Sequence, residues 1–197
     1  GLDRSTLVIY MGDNGFSWGE HGLIDKRHFY EESVKVPLLV HCPELFQGCI
    51  KPLEMVQNID IAPTILDQAG IPKPAQMPGM SFLPILQRKD LSNARERIFY
   101  EYYWEYDFPM TPTVFGVRTD QYKYIKYHGI WDRNELYDLE NDPYEMYNLI
   151  GKEDKQEVIK SMLDSLYNWL ETTNGLNIPL KPTDQPRWGD FKHKGEY

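Results

Sequence analysis

Asp13 and Asn14 follow an apolar, β-branched run, Thr6-Leu7-Val8-Ile9-Tyr10-Met11-Gly12, and precede Gly15. A carboxylate and an amide oxygen are thereby placed at the mouth of a strand, where open α/β sheets hold their ligands. Two adjacent hard oxygens suit Ca²⁺, with Mg²⁺ as the second choice. Lys26 lies one loop later, and His21 sits between them in Gly19-Glu20-His21-Gly22. A divalent ion beside an ammonium group is half of what hydrolysis of a sulfate or phosphate ester requires, because both stabilise charge on a tetrahedral oxyanion. The same residues have plainer readings. Asp, Asn and Gly after a strand form turns, and Asp25-Lys26-Arg27 also reads as a solvated charge run.

The elements that must position these residues can be read from the pattern. Residues 5–11 and 36–41 predict two buried core strands, and 12–27 a glycine-rich loop between them, with a short helix over 29–34. Asp60 is placed to cap a helix that runs to Ala69 and stops at Gly70. Residues 72–78 are a proline-rich loop, 81–86 a short apolar piece, and 87–96 a charged boundary.

Beyond that boundary the composition turns aromatic and β-branched. Segments 97–104, 113–118, 122–127 and 135–139 predict an antiparallel sheet of about four strands, with a turn at Thr119-Asp120-Gln121. Ile159, Met162, Leu163, Leu166, Trp169 and Leu170 recur at helical spacing within 152–171, so that helix should cover the sheet. The expected organisation is 1–90 as the C-terminal portion of an α/β domain, 91–173 as an antiparallel-sheet subdomain with its helix, and 174–197 as an irregular tail.

Composition excludes several classes. The 197-residue chain carries a net charge of −9, which argues against nucleic acid as a partner. No apolar run approaches the ~18 residues of a membrane span. Cys42 and Cys49 lack the histidine spacing of a zinc site, and either a small disulfide loop or two free thiols is open to them. His28 and His41 read as structural. His128, beside Trp131 at a strand end, and His193 in the tail are candidate sugar contacts with structural alternatives.

Taken together, Tyr10 to Gly15, Ile24-Asp25-Lys26-Arg27, Val34 to Val40, Asn58 to Gly70, Met77 to Ser81, Tyr122 to Ile125 and Glu135 to Pro143 resemble the C-terminal half of a type I, formylglycine-dependent sulfatase. The subgroup most similar is the N-acetylglucosamine-6-sulfatases. The resemblance implies an alkaline-phosphatase-like α/β fold and a sulfated carbohydrate substrate of glycosaminoglycan or mucin type. It implies Asp13 and Asn14 as ligands of one Ca²⁺, and Lys26 as the group holding the sulfate. His21, His128 and His193 are candidate substrate contacts. It also implies a periplasmic, secreted or lysosomal parent.

The sequence departs from the family in one respect: the Cys/Ser-x-Pro-x-Arg motif that matures to formylglycine occurs nowhere in it. The nucleophile is therefore expected in a missing N-terminal half, and the chain alone should be inactive. It should bind Ca²⁺ weakly, because that ion prefers six or more oxygens. An incomplete core and a raw sheet edge would favour dimerisation. Two alternatives compete: a phosphodiesterase or phosphonate hydrolase of the same superfamily, and a non-catalytic sugar-binding domain.

Overall fold

The computed structural model describes residues 1–89, 91–92, 94–105, 111–129 and 132–178. In chain order its elements are β1 (Val8–Met11), β2 (Ser17–Trp18), β3 (Ile24–Asp25), α1 (Glu31–Val34), β4 (Leu38–His41), α2 (Ile61–Gln68), α3 (Leu83–Leu86), β5 (Ile98–Tyr102), β6 (Val114–Arg118), β7 (Tyr122–Tyr127), β8 (Glu135–Asp138) and α4 (Gln156–Thr172). The chain is mixed α/β, and its largest element is a four-stranded antiparallel sheet in the order β5-β6-β7-β8. The turn at 119–121 closes through Thr119 N–H donating to Tyr122 O at 2.8 Å.

That sheet is buried on both faces, and strand alternation explains how. Phe115, Val117, Tyr124 and Leu136 face α4 and pack on Met162, Leu166 and Leu170. Val114, Ile125 and Tyr137 face the other way, onto Phe29 and Tyr30. Each such side chain contributes roughly 1.5–3 kcal/mol of burial. The segment before α1 is therefore a second cover on the sheet, which ties the loop containing Lys26 to the C-terminal half of the chain.

Some expected elements differ. The strand expected over 5–11 is four residues long and half exposed, not fully buried. Val8 and Tyr10 alternate outward with Leu39 of β4, and Tyr10 is 65% exposed. The physical reason is its pairing: β1 bonds only β4, antiparallel, and among the described residues nothing covers that face. Asp60 stands at the start of α2 but makes no cap bond to it. Its carboxylate accepts from the N–H groups of Gln57 and Met80 at 2.8 and 2.9 Å and from both terminal nitrogens of Arg95. These bonds hold its acid well below the ordinary carboxylate range despite burial. Cys42 and Cys49 are both free thiols, Cys42 buried and Cys49 exposed. His193 and Trp131 lie outside the described residues.

Candidate functional site

The loop between β1 and α1 folds back on itself through β2 and β3, where Ser17 pairs with Asp25 and Trp18 with Ile24. This brings two sequence-distant arms together. On one arm, Asp13 Oδ1 accepts from Asn14 N–H at 2.9 Å, and Asn14 Nδ2 donates to Gly15 O at 2.7 Å. From the other arm, Lys26 Nζ donates to Asn14 Oδ1 at 3.1 Å. All three side chains are on exposed residues. The oxygen that would ligate a cation already holds a cationic group.

The neighbours of Lys26 do not form a solvated charge run with it. Asp25 accepts from Lys26 N–H through Oδ1 and pairs with Arg27 through Oδ2. Arg27 also lies 3.5 Å from Glu105. Asp25 and Arg27 thus satisfy one another, and Lys26 is the basic group directed at Asn14. Arg27 is a structural ion-pair residue here.

Ser33 anchors both arms. Gly15 N–H donates to Ser33 O at 2.8 Å, and Ser33 Oγ donates to Lys26 O at 2.6 Å. The adjoining α1 is in turn held by the distant sheet. Glu31 N–H donates to Glu145 Oε2 at 2.7 Å. The buried Lys123 ammonium of β7 lies 2.7 Å from both Glu31 Oε1 and Glu145 Oε1, and Arg118 Nε donates to Glu31 at 3.1 Å. Burial alone would raise the Glu31 acid, but Lys123 and Arg118 overcome it and hold it at about 2. At Glu145 burial dominates and pushes the acid up.

The remaining candidates are placed differently. His21 has a side chain 10% exposed. Its ring stacks on Tyr30 at 3.9 Å between centroids and 7° between planes, and its Nε2 faces Glu32 Oε2 at 3.4 Å. His128 is exposed beyond β7, tied down through its backbone N–H to Thr113 O at 2.9 Å. His28 is buried beside the Tyr30 ring, and burial holds its imidazole below the ordinary value. Three tyrosine hydroxyls, of Tyr30, Tyr127 and Tyr137, donate to Glu135. Sequence reasoning missed Ser33, Glu32, Lys123 and Glu145. Lys123 alone carried a signal, as a basic residue inside the aromatic run Tyr122 to Tyr127.

Comparison with known proteins defines the class. The family described as N-sulphoglucosamine sulphohydrolase, C-terminal, matches residues 19–172. An N-acetylglucosamine-6-O-sulfatase of Bacteroides thetaiotaomicron is 34% identical over 167 residues, covering 82% of this chain and 29% of the relative. An N-acetylglucosamine-6-sulfatase of Bos taurus is 45% identical over 104 residues, covering 52% of this chain and 18% of the relative. Among solved structures, one in complex with its substrate D-glucosamine-2-N,6-O-disulfate superposes with a TM-score of 0.77 at 31% identity. It is covered to 37%, and this chain to 91%. The chain belongs to the N-sulphoglucosamine sulphohydrolase C-terminal family, within the sulfatases of alkaline-phosphatase-like fold. It spans less than a third of the length of these two curated relatives.

Proposed function

We propose that this chain is part of a sulfuric ester hydrolase acting on sulfated sugars of the 6-O-sulfated glucosamine type. The observation that carries the reading is the 3.1 Å contact between Lys26 Nζ and Asn14 Oδ1, made by two arms of one loop. The relatives' names, which specify N-acetylglucosamine-6-sulfate ester hydrolysis, support the substrate class.

Asp13 and Asn14 fit a hard divalent cation by donor chemistry, as two oxygens from adjacent residues, one of them already drawing an ammonium group. They would hold Ca²⁺, or Mg²⁺, which supplies Lewis-acid stabilisation of sulfate oxygens when bound. Lys26 would then give up its bond to Asn14 and donate to a non-bridging sulfate oxygen, stabilising charge as the ester bond breaks. The nucleophile, formylglycine in this reading, comes from a portion of the protein outside this chain. His21 is occupied by Tyr30 and Glu32 and is left out of the substrate contacts. His128 and His193 remain candidate sugar contacts. The protein would work in a periplasmic, secreted or lysosomal compartment. Among the described residues, no helix is long and apolar enough to cross a membrane.

The test uses the protein that contains this chain together with its nucleophile. Lys26→Ala should lower kcat/KM on a 6-O-sulfated glucosamine by about 10²–10³-fold, the cost of removing one oxyanion donor. Asp13→Asn should raise the Ca²⁺ concentration needed for half-activity. Unchanged turnover in both variants would remove the site.

The exposed face formed by Val8, Tyr10 and Leu39 is where the remainder of the catalytic domain docks in this reading. Expressed alone, the chain should therefore self-associate through this face or its sheet edge. Size-exclusion chromatography should show a species at least twice the 23.2 kDa chain mass. A clean monomer with a cooperative melt would overturn that expectation.

A further inference from the structure

We propose a second metal site, separate from the Asp13–Asn14 pair: a transition-metal centre formed by His21, Glu32 and Glu145, taking Zn²⁺. It does not depend on the hydrolase reading above. One ligand atom from each of these residues lies within 4.8 Å of the others. Ligands about 2.0–2.2 Å from a single ion stand roughly 3–4 Å apart, so a shift of about an ångström closes the set. One imidazole and two carboxylates leave a fourth position open for water. That donor set suits zinc better than the all-oxygen preference of calcium does.

His21 Nε2 and Glu32 Oε2 are buried and make no hydrogen bond among the described residues, although they face one another at 3.4 Å. Buried polar groups in folded proteins are nearly always satisfied, so this facing pair is where an ion would be accepted, with Glu145, whose Oε1 is the ion-pair partner of Lys123, as the third ligand. Glu145 is fully buried, and its other oxygen is already used by Glu31 N–H. Lys123 Nζ is 2.7 Å from Glu145 Oε1 without hydrogen-bond geometry.

Lys123, Arg118 and Lys35 are spent on Glu31 and Glu145, while Glu32 faces only His21, at 3.4 Å, among the ion pairs of the described residues. The ring stacking on Tyr30 fixes the imidazole plane, with Nε2 turned to Glu32.

The experiment is a ZnCl₂ titration of the chain, previously stripped with chelator, followed by calorimetry and thermal melting. The expected result is saturable binding of one Zn²⁺ per chain with a raised Tm. His21→Ala and Glu32→Gln should each weaken binding by more than about tenfold, while Asp13→Asn and His128→Ala leave it unchanged. Glu32→Gln preserves side-chain volume and guards against a folding defect in the other variant. X-ray absorption on the wild-type zinc complex should report a mixed nitrogen and oxygen shell including imidazole. No saturable binding, binding that survives both substitutions, or binding lost instead in Asp13→Asn would each overturn the proposal. The last outcome would place the ion at the loop pair and leave the hydrolase reading intact.

Discussion

Lys123→Met is expected to destabilise the folded chain by about 3–5 kcal/mol, the cost of removing one partner from a buried ion pair. Lys123 is fully buried and lies 2.7 Å from both Glu31 and Glu145. Methionine retains the aliphatic stem along β7, so little packing is lost and the change is electrostatic. Glu31 keeps Arg118 as a partner, but Glu145 is left as a buried carboxylate with no counter-charge. Glu145→Gln added to Lys123→Met should recover part of the loss, because the orphaned charge is then gone while a carbonyl oxygen can still accept from Glu31 N–H. Denaturant unfolding of the two variants and the wild type measures the difference. Equal stability of wild type and Lys123→Met would mean that the network contributes nothing net.

The same network sets an acid limit. Glu31 titrates at about 2 in the folded chain against an ordinary value of 4.5. A depressed carboxyl contributes stability that is fully present above 4.5 and is lost as pH falls towards 2. Glu145 acts in the opposite sense. Its acid is raised by burial, so protonation favours the folded form and its contribution declines as pH rises above the ordinary value. In Lys123→Met the Glu31 contribution shrinks, and the acid limb of the stability profile between about pH 4.5 and 2 should flatten.

How much of this was legible in the sequence depended on distance along the chain. The C-terminal sheet and its helix announced themselves through local periodicity, since Met162, Leu166 and Leu170 recur every four residues and turn signals separate the strands. Asp13, Asn14 and Lys26 were legible as residue types, and the structure brings Asn14 and Lys26 into contact. The supports were not legible. Glu31 and Glu145 are separated by 114 residues, and no local pattern links them. Asp60 has the sequence signature of a cap, because Asp before a helix usually is one, yet Arg95 claims its carboxylate from 35 residues away. The β1 run predicts full burial because apolar runs report hydrophobicity and not how many strands are present to cover them. His21 showed only its type. Its stacking on Tyr30 and approach to Glu32 required the turn at 19–22 to be known.

Gly15→Ala should be the most damaging single-methyl change in the candidate site. A Cβ there would fall inside the van der Waals shell of the Glu32 carbonyl oxygen and lie 3.1 Å from the Ser33 carbonyl carbon. The obstacle is helix backbone and not the end of a flexible side chain, so relief requires the loop to move away from α1. Moving it breaks the 2.8 Å bond from Gly15 N–H to Ser33 O. Asn14 is then carried off the position where it meets Lys26, since Ser33 is also what holds the Lys26 backbone. Overpacking of this kind costs about 1–3 kcal/mol, to which a lost backbone bond adds about 1 kcal/mol. The stability loss should be measurable by denaturant unfolding, and Ca²⁺ affinity at the proposed Asp13–Asn14 pair should fall with it. Ser33→Ala separates the two effects. It releases the Lys26 arm while leaving the Gly15 arm attached to the backbone carbonyl, so it should impair sulfate binding more than Ca²⁺ binding. A Gly15→Ala chain with wild-type stability and wild-type Ca²⁺ affinity would show that the loop does not depend on its close approach to α1.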